Sequence, residues 1–286
     1  MIMNRFETIL ADTAFARRLH FHLRYQVFCE EAGFEDASRF PDQQERDEYD
    51  QHGVHFLVWD RLAHLWVGAM RLIPANEAAM PSEAIAGSPF VDSAEERRRS
   101  VEFSRLCVRA RYGRMESGFR IGRWAPPGVE RSEGELVFFR QWDHEIIQRL
   151  IYACLDWEMA NGFDYTYFII NRALARMLKR FGIPLDVVGE PLEHRGVRIP
   201  HRGDVRTAYA GMRSQSVSFA EMADSAPAYI AFSELELLSG NSVSTSGATA
   251  TVRQIPSEIV EAAQAQSWRG SSRTDGPPRR LGSRVA

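Results

Sequence analysis

The sequence predicts an α/β fold, more strictly α+β, in which helices pack on the faces of a mixed central sheet. Three observations predict it. Helix-like and strand-like segments alternate over residues 1–238 in the coarse order α, β, β, β, α, β, α, β. Two short apolar runs, 55–59 and 65–73, are joined by a brief polar stretch and read as a hairpin. A long helical segment, 136–160, then separates a third strand from a fourth.

Each element has a local reason. Asp12 or Thr13 caps a first helix that runs to about Glu31, with Phe15, Leu19, Leu23 and Val27 on one face. Gly33 ends it. Pro74 stops the second strand of the hairpin. Residues 101–108 alternate, so Glu102, Ser104 and Leu106 are expected on one side and Phe103, Arg105 and Cys107 on the other. A polar loop fills 109–135, and Asn161-Gly162 closes the long helix. Residues 163–170 read as a strand, and Asn171 caps a short helix to Phe181, with Gly182 and Pro184 after it. The last strands are expected at 185–188 and near 206–210. Residues 1–238 form one domain in this reading. Residues 239–286, rich in Ser, Thr, Gly, Ala, Pro and Arg, read as a disordered tail with one short helix around 257–266.

Composition excludes several classes. With 35 basic and 38 acidic side chains the formal charge is −3, which does not suit a general nucleic-acid binder. Cys29, Cys107 and Cys154 lie far apart and form no CxxC pair, against a disulfide framework or a thiolate zinc site. No apolar run approaches the ~20 residues of a membrane helix. The start lacks a cationic stretch followed by an apolar one, so the expected location is the cytoplasm. The eight histidines are scattered without metal-ligand spacing, and neither a metal nor a resident cofactor is expected.

Three clusters carry chemistry. The first is Arg24-Tyr-Gln-Val-Phe28 with Glu45-Arg-Asp47-Glu-Tyr-Asp50, the second Gly68-Ala-Met-Arg71-Leu-Ile-Pro74, and the third Glu102-Phe-Ser-Arg105-Leu-Cys-Val108. In this order and spacing, over residues 19–209, they resemble the autoinducer-synthase-like branch of the GNAT acyltransferase superfamily, which includes acyl-homoserine-lactone synthases and N-acyl amino acid synthases. The stretch from Asp47 to His55 and the Gly182-Ile-Pro184 segment are similar to the acyltransferases associated with PEP-CTERM/exosortase systems. The resemblance implies a GNAT-like fold and transfer of a fatty acyl group from the phosphopantetheine of acyl carrier protein to a small amine. It implies that Arg24, Phe28, Asp47, Asp50, Arg71, Glu102 and Arg105 form the acceptor site and its supporting ion pairs. The homoserine-lactone synthases carry a tryptophan that helps bind S-adenosylmethionine where this sequence has Phe34, so an amino acid or another small amine is the expected acceptor.

The residues can also be read for themselves. Amine acylation needs a proton acceptor and donors aimed at the developing oxyanion. Glu102 is the candidate base; the plainer alternative is an ion-pair network with no catalytic role. Arg71, the second candidate catalytic residue, sits inside an apolar strand and requires a carboxylate partner, for which Asp47, Asp50 and Glu102 are available; the plainer alternative is a structural salt bridge with no catalytic role. Asp47 and Asp50 either hold the acceptor's ammonium or belong to a solvated acidic loop. Cys107 is expected to be structural, and the aromatic run Phe163, Tyr165, Tyr167, Phe168 is expected to be core or to line an acyl tunnel.

The donor is read from charge. Residues 97–123 hold nine arginines against two glutamates, net +7. Arg109, Arg111 and Arg114 are the candidate docking residues for acyl carrier protein. The stretch Arg109-Ala-Arg-Tyr-Gly-Arg114 lacks the closely spaced glycines with which coenzyme A-dependent GNAT enzymes cradle a pyrophosphate. A coenzyme A-dependent N-acetyltransferase, an acyl-homoserine-lactone synthase, and a non-catalytic module that docks carrier protein or senses an acyl chain are the competing readings.

Overall fold

The computed structural model describes residues 5–75, 79–91, 93–109 and 133–240. The first element is a strand that sequence reasoning left out, β1 (Phe6–Leu10). Thr13 then caps α1 (Ala14–Tyr25), its hydroxyl accepting from the Ala16 amide. The helix continues as a wider π turn over Gln26–Glu31. Two short 3₁₀ turns follow, Ala37–Arg39 and Glu48–Gln51. The hairpin is β2 (Val54–Asp60) and β3 (Leu65–Pro74), with the Asp60 carboxylate accepting from the amides of Leu62 and Ala63 in its turn. Next come α2 (Pro81–Ala86), α3 (Ala94–Arg98), β4 (Ser100–Val108) and the long α4 (Glu133–Ala160). β5 (Tyr165–Ile170) precedes α5 (Arg172–Arg180), which Asn171 caps. The chain then forms β6 (Asp186–Val187), β7 (Leu192–Glu193), β8 (Val197–Asp204), α6 (Val205–Gln215), α7 (Val217–Ser225), β9 (Ile230–Ala231) and α8 (Phe232–Gly240).

Residues 206–210 are helix α6, not a strand. Asp204 decides this, because its carboxylate accepts from the Thr207 amide and nucleates the turn. The strand lies just before, in β8, where Pro200 and the charges of Val-Arg-Ile-Pro-His-Arg-Gly-Asp hide the β pattern. The tail beyond 240, including the candidate helix at 257–266, lies outside the described residues.

The sheet runs β6-β8-β5-β4-β3-β2-β1-β9, with β7 paired to β8. Strands β1 to β4 form an antiparallel meander, β4 and β5 are parallel, and β5 and β8 are antiparallel. One face packs on α4, α5 and α6 through Ile146, Leu150, Ile151, Leu178, Ala208 and Met212. The other packs on α1 through Ala16, Leu19 and Leu23 and on the π turn that follows it through Val27. This apolar burial drives the fold.

The turn after α5 meets α6 backbone to backbone. A Cβ added at Gly211 would lie 1.8 Å from the Gly182 carbonyl oxygen, and Gly182 itself has φ +83. Gly211→Ala is therefore expected to destabilise the protein by about 1–3 kcal/mol, read as a lower urea midpoint.

Candidate active site

The site begins with a break in sheet geometry. Opposite β3, the register passes from Ala69↔Cys107 to Arg71↔Ser104, so two steps on β3 face three on β4. The extra residue is Arg105, which holds the left-handed φ of 53°. A bulge of this kind re-aims the side chains that follow it. Leu106 now packs with Phe103 on the α4 face, and Cys107 joins Ala69 on the α1 face. The simple alternation expected for 101–108 therefore holds only as far as Ser104. Arg105 turns toward the Glu102 side, where strict alternation would have sent it to the opposite face.

That turn completes a cluster of six charges. Arg24, at the end of α1, is bidentate to Asp50 at 2.6 and 3.1 Å and meets Glu45 at 2.5 Å. Arg71 donates to Asp47 (2.6 and 3.2 Å), Asp50 (2.7 Å) and the Ser104 hydroxyl (3.1 Å). Arg105 donates to Glu45 (3.1 Å) and Asp47 (2.8 Å). The three arginines and three carboxylates sum to zero formal charge, which is what allows Arg24, Arg71, Glu45 and Asp50 to be buried together. The turn Glu48–Gln51 orients two of the acids: the Asp50 carboxylate accepts from the Asp47 amide, and that of Asp47 accepts from the Tyr49 amide. Burial works against the charge of Asp50, but Arg24 and Arg71 override it and hold the carboxyl well below its ordinary range.

Beneath the cluster lie two buried histidines with ring centroids 4.7 Å apart. His20 Nε2 donates to the Met70 carbonyl and His55 Nε2 to that of Asp50. Burial holds His20 well below its ordinary range and pulls His55 down to about 4, so both are neutral near pH 7. Among the described residues, no three ligand-type side chains converge as a metal site.

Glu102 stands apart from the cluster and is 1% exposed. Its Oε2 accepts from the amide and the hydroxyl of Ser82 at the start of α2, at 2.9 and 2.6 Å. Burial pushes its carboxyl up to about 7; the Ser82 hydrogen bonds and Arg71 oppose the rise without cancelling it. A carboxyl that titrates near neutrality, on the wall of a cavity, is equipped to take a proton from an amine.

The cavity, about 250 Å³, opens where β4 and β5 part. Their pairing ends at Phe103↔Phe168, after which the strands diverge. Glu102, Ser104, Arg105, Phe28 and Phe34 line one side, and Ile151, Ile170, Leu174 and Leu178 the apolar other side. Of the aromatic run, Phe168 lines the cavity, whereas Tyr165 and Tyr167 pack around Met80 and Val91. Arg24, Asp47, Asp50 and Arg71 are not on the wall; they hold Arg105 and Ser104 in position from behind.

The basic segment is partly consumed inside the fold. Arg97 pairs with Glu83, Arg99 with Asp164, and Arg105 with the cluster. Arg109 lies 4.0 Å from Glu31. Arg111 and Arg114 lie outside the described residues. Sequence reasoning missed Ser82 and gave no role to Glu45. Ser82 carries no local signal, while Glu45 shares the acidic stretch with Asp47 and Asp50, and nothing along the chain marks it as buried.

Comparison with known proteins bears on the fold. Residues 23–119 match the family described as the acetyltransferase (GNAT) domain. The chain is similar to an acyl-homoserine-lactone synthase of Rhizobium radiobacter, 24% identical over 181 residues that cover 63% of this chain and 74% of that one. In three dimensions it is similar to TofI in a ternary complex with an inhibitor and MTA, with a TM-score of 0.52 at 17% identity, covering 74% of this chain and 99% of that one. The fold is the GNAT fold, and the chain is an acyltransferase. Among the described residues, no helix is long and apolar enough to cross a membrane.

Proposed function

We propose that this acyltransferase of the GNAT fold transfers a fatty acyl group from acyl carrier protein to the amine of a small acceptor, an amino acid. The observation that carries the reading is Glu102, buried on the wall of a cavity that is polar on one side and apolar on the other. The acceptor enters as an ammonium. Glu102 takes one proton, the freed nitrogen attacks the thioester carbonyl, the new C–N bond forms and the C–S bond breaks. The phosphopantetheine thiolate leaves and is protonated as the nitrogen sheds its remaining excess proton. Arg105 and Ser104 stand on the Glu102 side of the wedge, near the region where negative charge develops. Phe28 and Phe34 supply apolar contact to the acceptor. Arg24, Asp47, Asp50 and Arg71 are positioning residues that hold this wall.

The carrier protein is favoured as donor by the missing glycine pattern after β4 and by the arginines around it, with Arg109, Arg111 and Arg114 as docking residues. The PEP-CTERM/exosortase association rests on the stretches 47–55 and 182–184. A second reading, acyl-homoserine-lactone synthesis, is favoured by the Rhizobium radiobacter relative; Phe34 on the cavity wall argues for a different acceptor.

One assay tests the set. The protein is incubated with acyl carrier proteins of several chain lengths, with acyl-coenzyme A of the same lengths, and with pooled amino acids or S-adenosylmethionine; products are read by mass spectrometry. N-acyl amino acids formed from carrier protein, at rates that fall steeply with ionic strength, are the expected result, because docking charges are screened within about 10 Å at 0.1 M salt. Equal use of acyl-coenzyme A without salt dependence overturns the donor. A homoserine lactone product overturns the acceptor.

A further inference from the structure

The far wall of the cavity carries a cationic group that the proposed chemistry has not used. β8 runs antiparallel to β5 with Ile199 opposite Ile170 and Arg202 opposite Tyr167. Ile199 and His201 face α5. Alternation then puts Arg198 on the other face, that of Glu102 and Arg105. His194 and Arg195, in the turn between β7 and β8, line the same cavity.

The neighbours of Arg198 are already neutralised. Arg195 is paired with Glu35, and Arg105 with Glu45 and Asp47. Arg198 donates to the Arg195 carbonyl at 3.0 Å, and among the described residues no carboxylate pairs with it or with His194. His194 is held below its ordinary range by burial and then by Arg195, Arg198 and Arg105, against the opposing influence of Glu35. The mouth of the cavity is therefore electropositive on the Glu102 face.

We propose that Arg198 binds the carboxylate of the acceptor, which makes the acceptor an α-amino acid with a free carboxyl group. This rests on the acyl-transfer reading above and assigns the acceptor's second functional group. Reach supports it. Tyr167 is level with both Glu102 and Arg202, and Arg198 lies four residues further along β8, which is two strands from β4, so it is about 13 Å away along the strands at 3.3 Å per residue and about 10 Å across them at 4.8 Å per strand. With the Glu102 carboxyl held on Ser82 and both side chains standing off the same sheet face, that span leaves room for a small zwitterion, amine toward Glu102 and carboxylate toward Arg198. The guanidinium fork matches a carboxylate in two parallel hydrogen bonds. The phosphate of the donor is the other anion available. The apolar wall that suits an acyl chain, made by Leu174, Leu178 and Ile151, is on the opposite face, which favours the acceptor.

The test compares wild type with Arg198→Gln and Arg198→Lys. Binding is measured calorimetrically with a set of N-dodecanoyl amino acids and the methyl ester of each, which keeps the shape and removes the charge. Wild type is expected to prefer the best-binding acid over its ester by roughly 10–100-fold. Arg198→Gln is expected to lose that preference at an unchanged melting temperature, and Arg198→Lys to restore part of it. Equal affinity for acid and ester in wild type, or a preference that survives in Arg198→Gln, overturns the assignment. In turnover, Arg198→Gln is expected to raise the KM of the amino acid and leave kcat within a few-fold. A raised KM for the acyl donor instead assigns the site to phosphate and also overturns it. Should wild type acylate no amine at all, the acyl-transfer reading fails, while the acid-against-ester comparison still decides the role of Arg198.

Discussion

Glu102→Gln is expected to lower turnover by roughly 10²–10⁴-fold and, at pH 8, to yield a protein that melts higher than wild type. The two effects share one cause. Burial raises the Glu102 carboxyl from the ordinary 4.5 to about 7. The folded protein thus binds this proton more tightly than the unfolded chain does. Stability linked to Glu102 is full below pH 4.5 and is lost as pH rises through 7, an effect on the order of 1–3 kcal/mol for a shift of this size. Glutamine has no charge to bury, and its carbonyl still accepts from Ser82. In wild type, kcat/KM is expected to rise with unit slope below about pH 7 and level off above it; the mutant loses that rise. A mutant with wild-type turnover and an unchanged pH profile removes Glu102 from the mechanism. Ser82→Ala offers a milder version. It removes a hydrogen bond to the ionised form, so the apparent pKa in the rate profile is expected to move up.

Arg71→Met is expected to cost about 3–5 kcal/mol of stability. All its guanidinium nitrogens are engaged, with Asp47, Asp50 and Ser104, and the side chain is fully buried. Removing it leaves three carboxylates, Glu45, Asp47 and Asp50, to share Arg24 and Arg105 in a low-dielectric setting. The double variant with Asp50→Asn is expected to lose less than the sum of the single variants, because one charge of each sign is then gone. Denaturant unfolding of the four proteins in the cycle measures the coupling. Additive losses show that Arg71 and Asp50 act independently, against the geometry.

The site was only partly legible in the sequence. The clusters around Arg24, Asp47, Asp50, Arg71, Glu102 and Arg105 were visible as charges in or beside apolar segments, and their order carried the resemblance that implied a GNAT-like fold. Glu45 became meaningful only once Arg24 and Arg105 were seen to bracket it. Cys107 could be read as structural from sequence and is buried in the α1-face core.

What the sequence by itself determined is local: a first cap at Asp12 or Thr13, Asn171 as the cap of α5, Pro74 as the end of β3, the hairpin between β2 and β3, and the apolar face of α1. Each depends on residues within one or two turns of each other, so the pattern is written along the chain. The tertiary structure alone decided where β8 lies, which way Arg105 points, and what surrounds Glu102. A strand with a proline and three charged side chains exists only because β5 supplies its hydrogen-bond partners. The bulge at Arg105 is a mismatch between two strands and has no signature in either one. The carboxyl of Glu102 titrates near 7 because α2 and the sheet exclude water from it, and exclusion of water belongs to the packed protein rather than to any segment of its sequence.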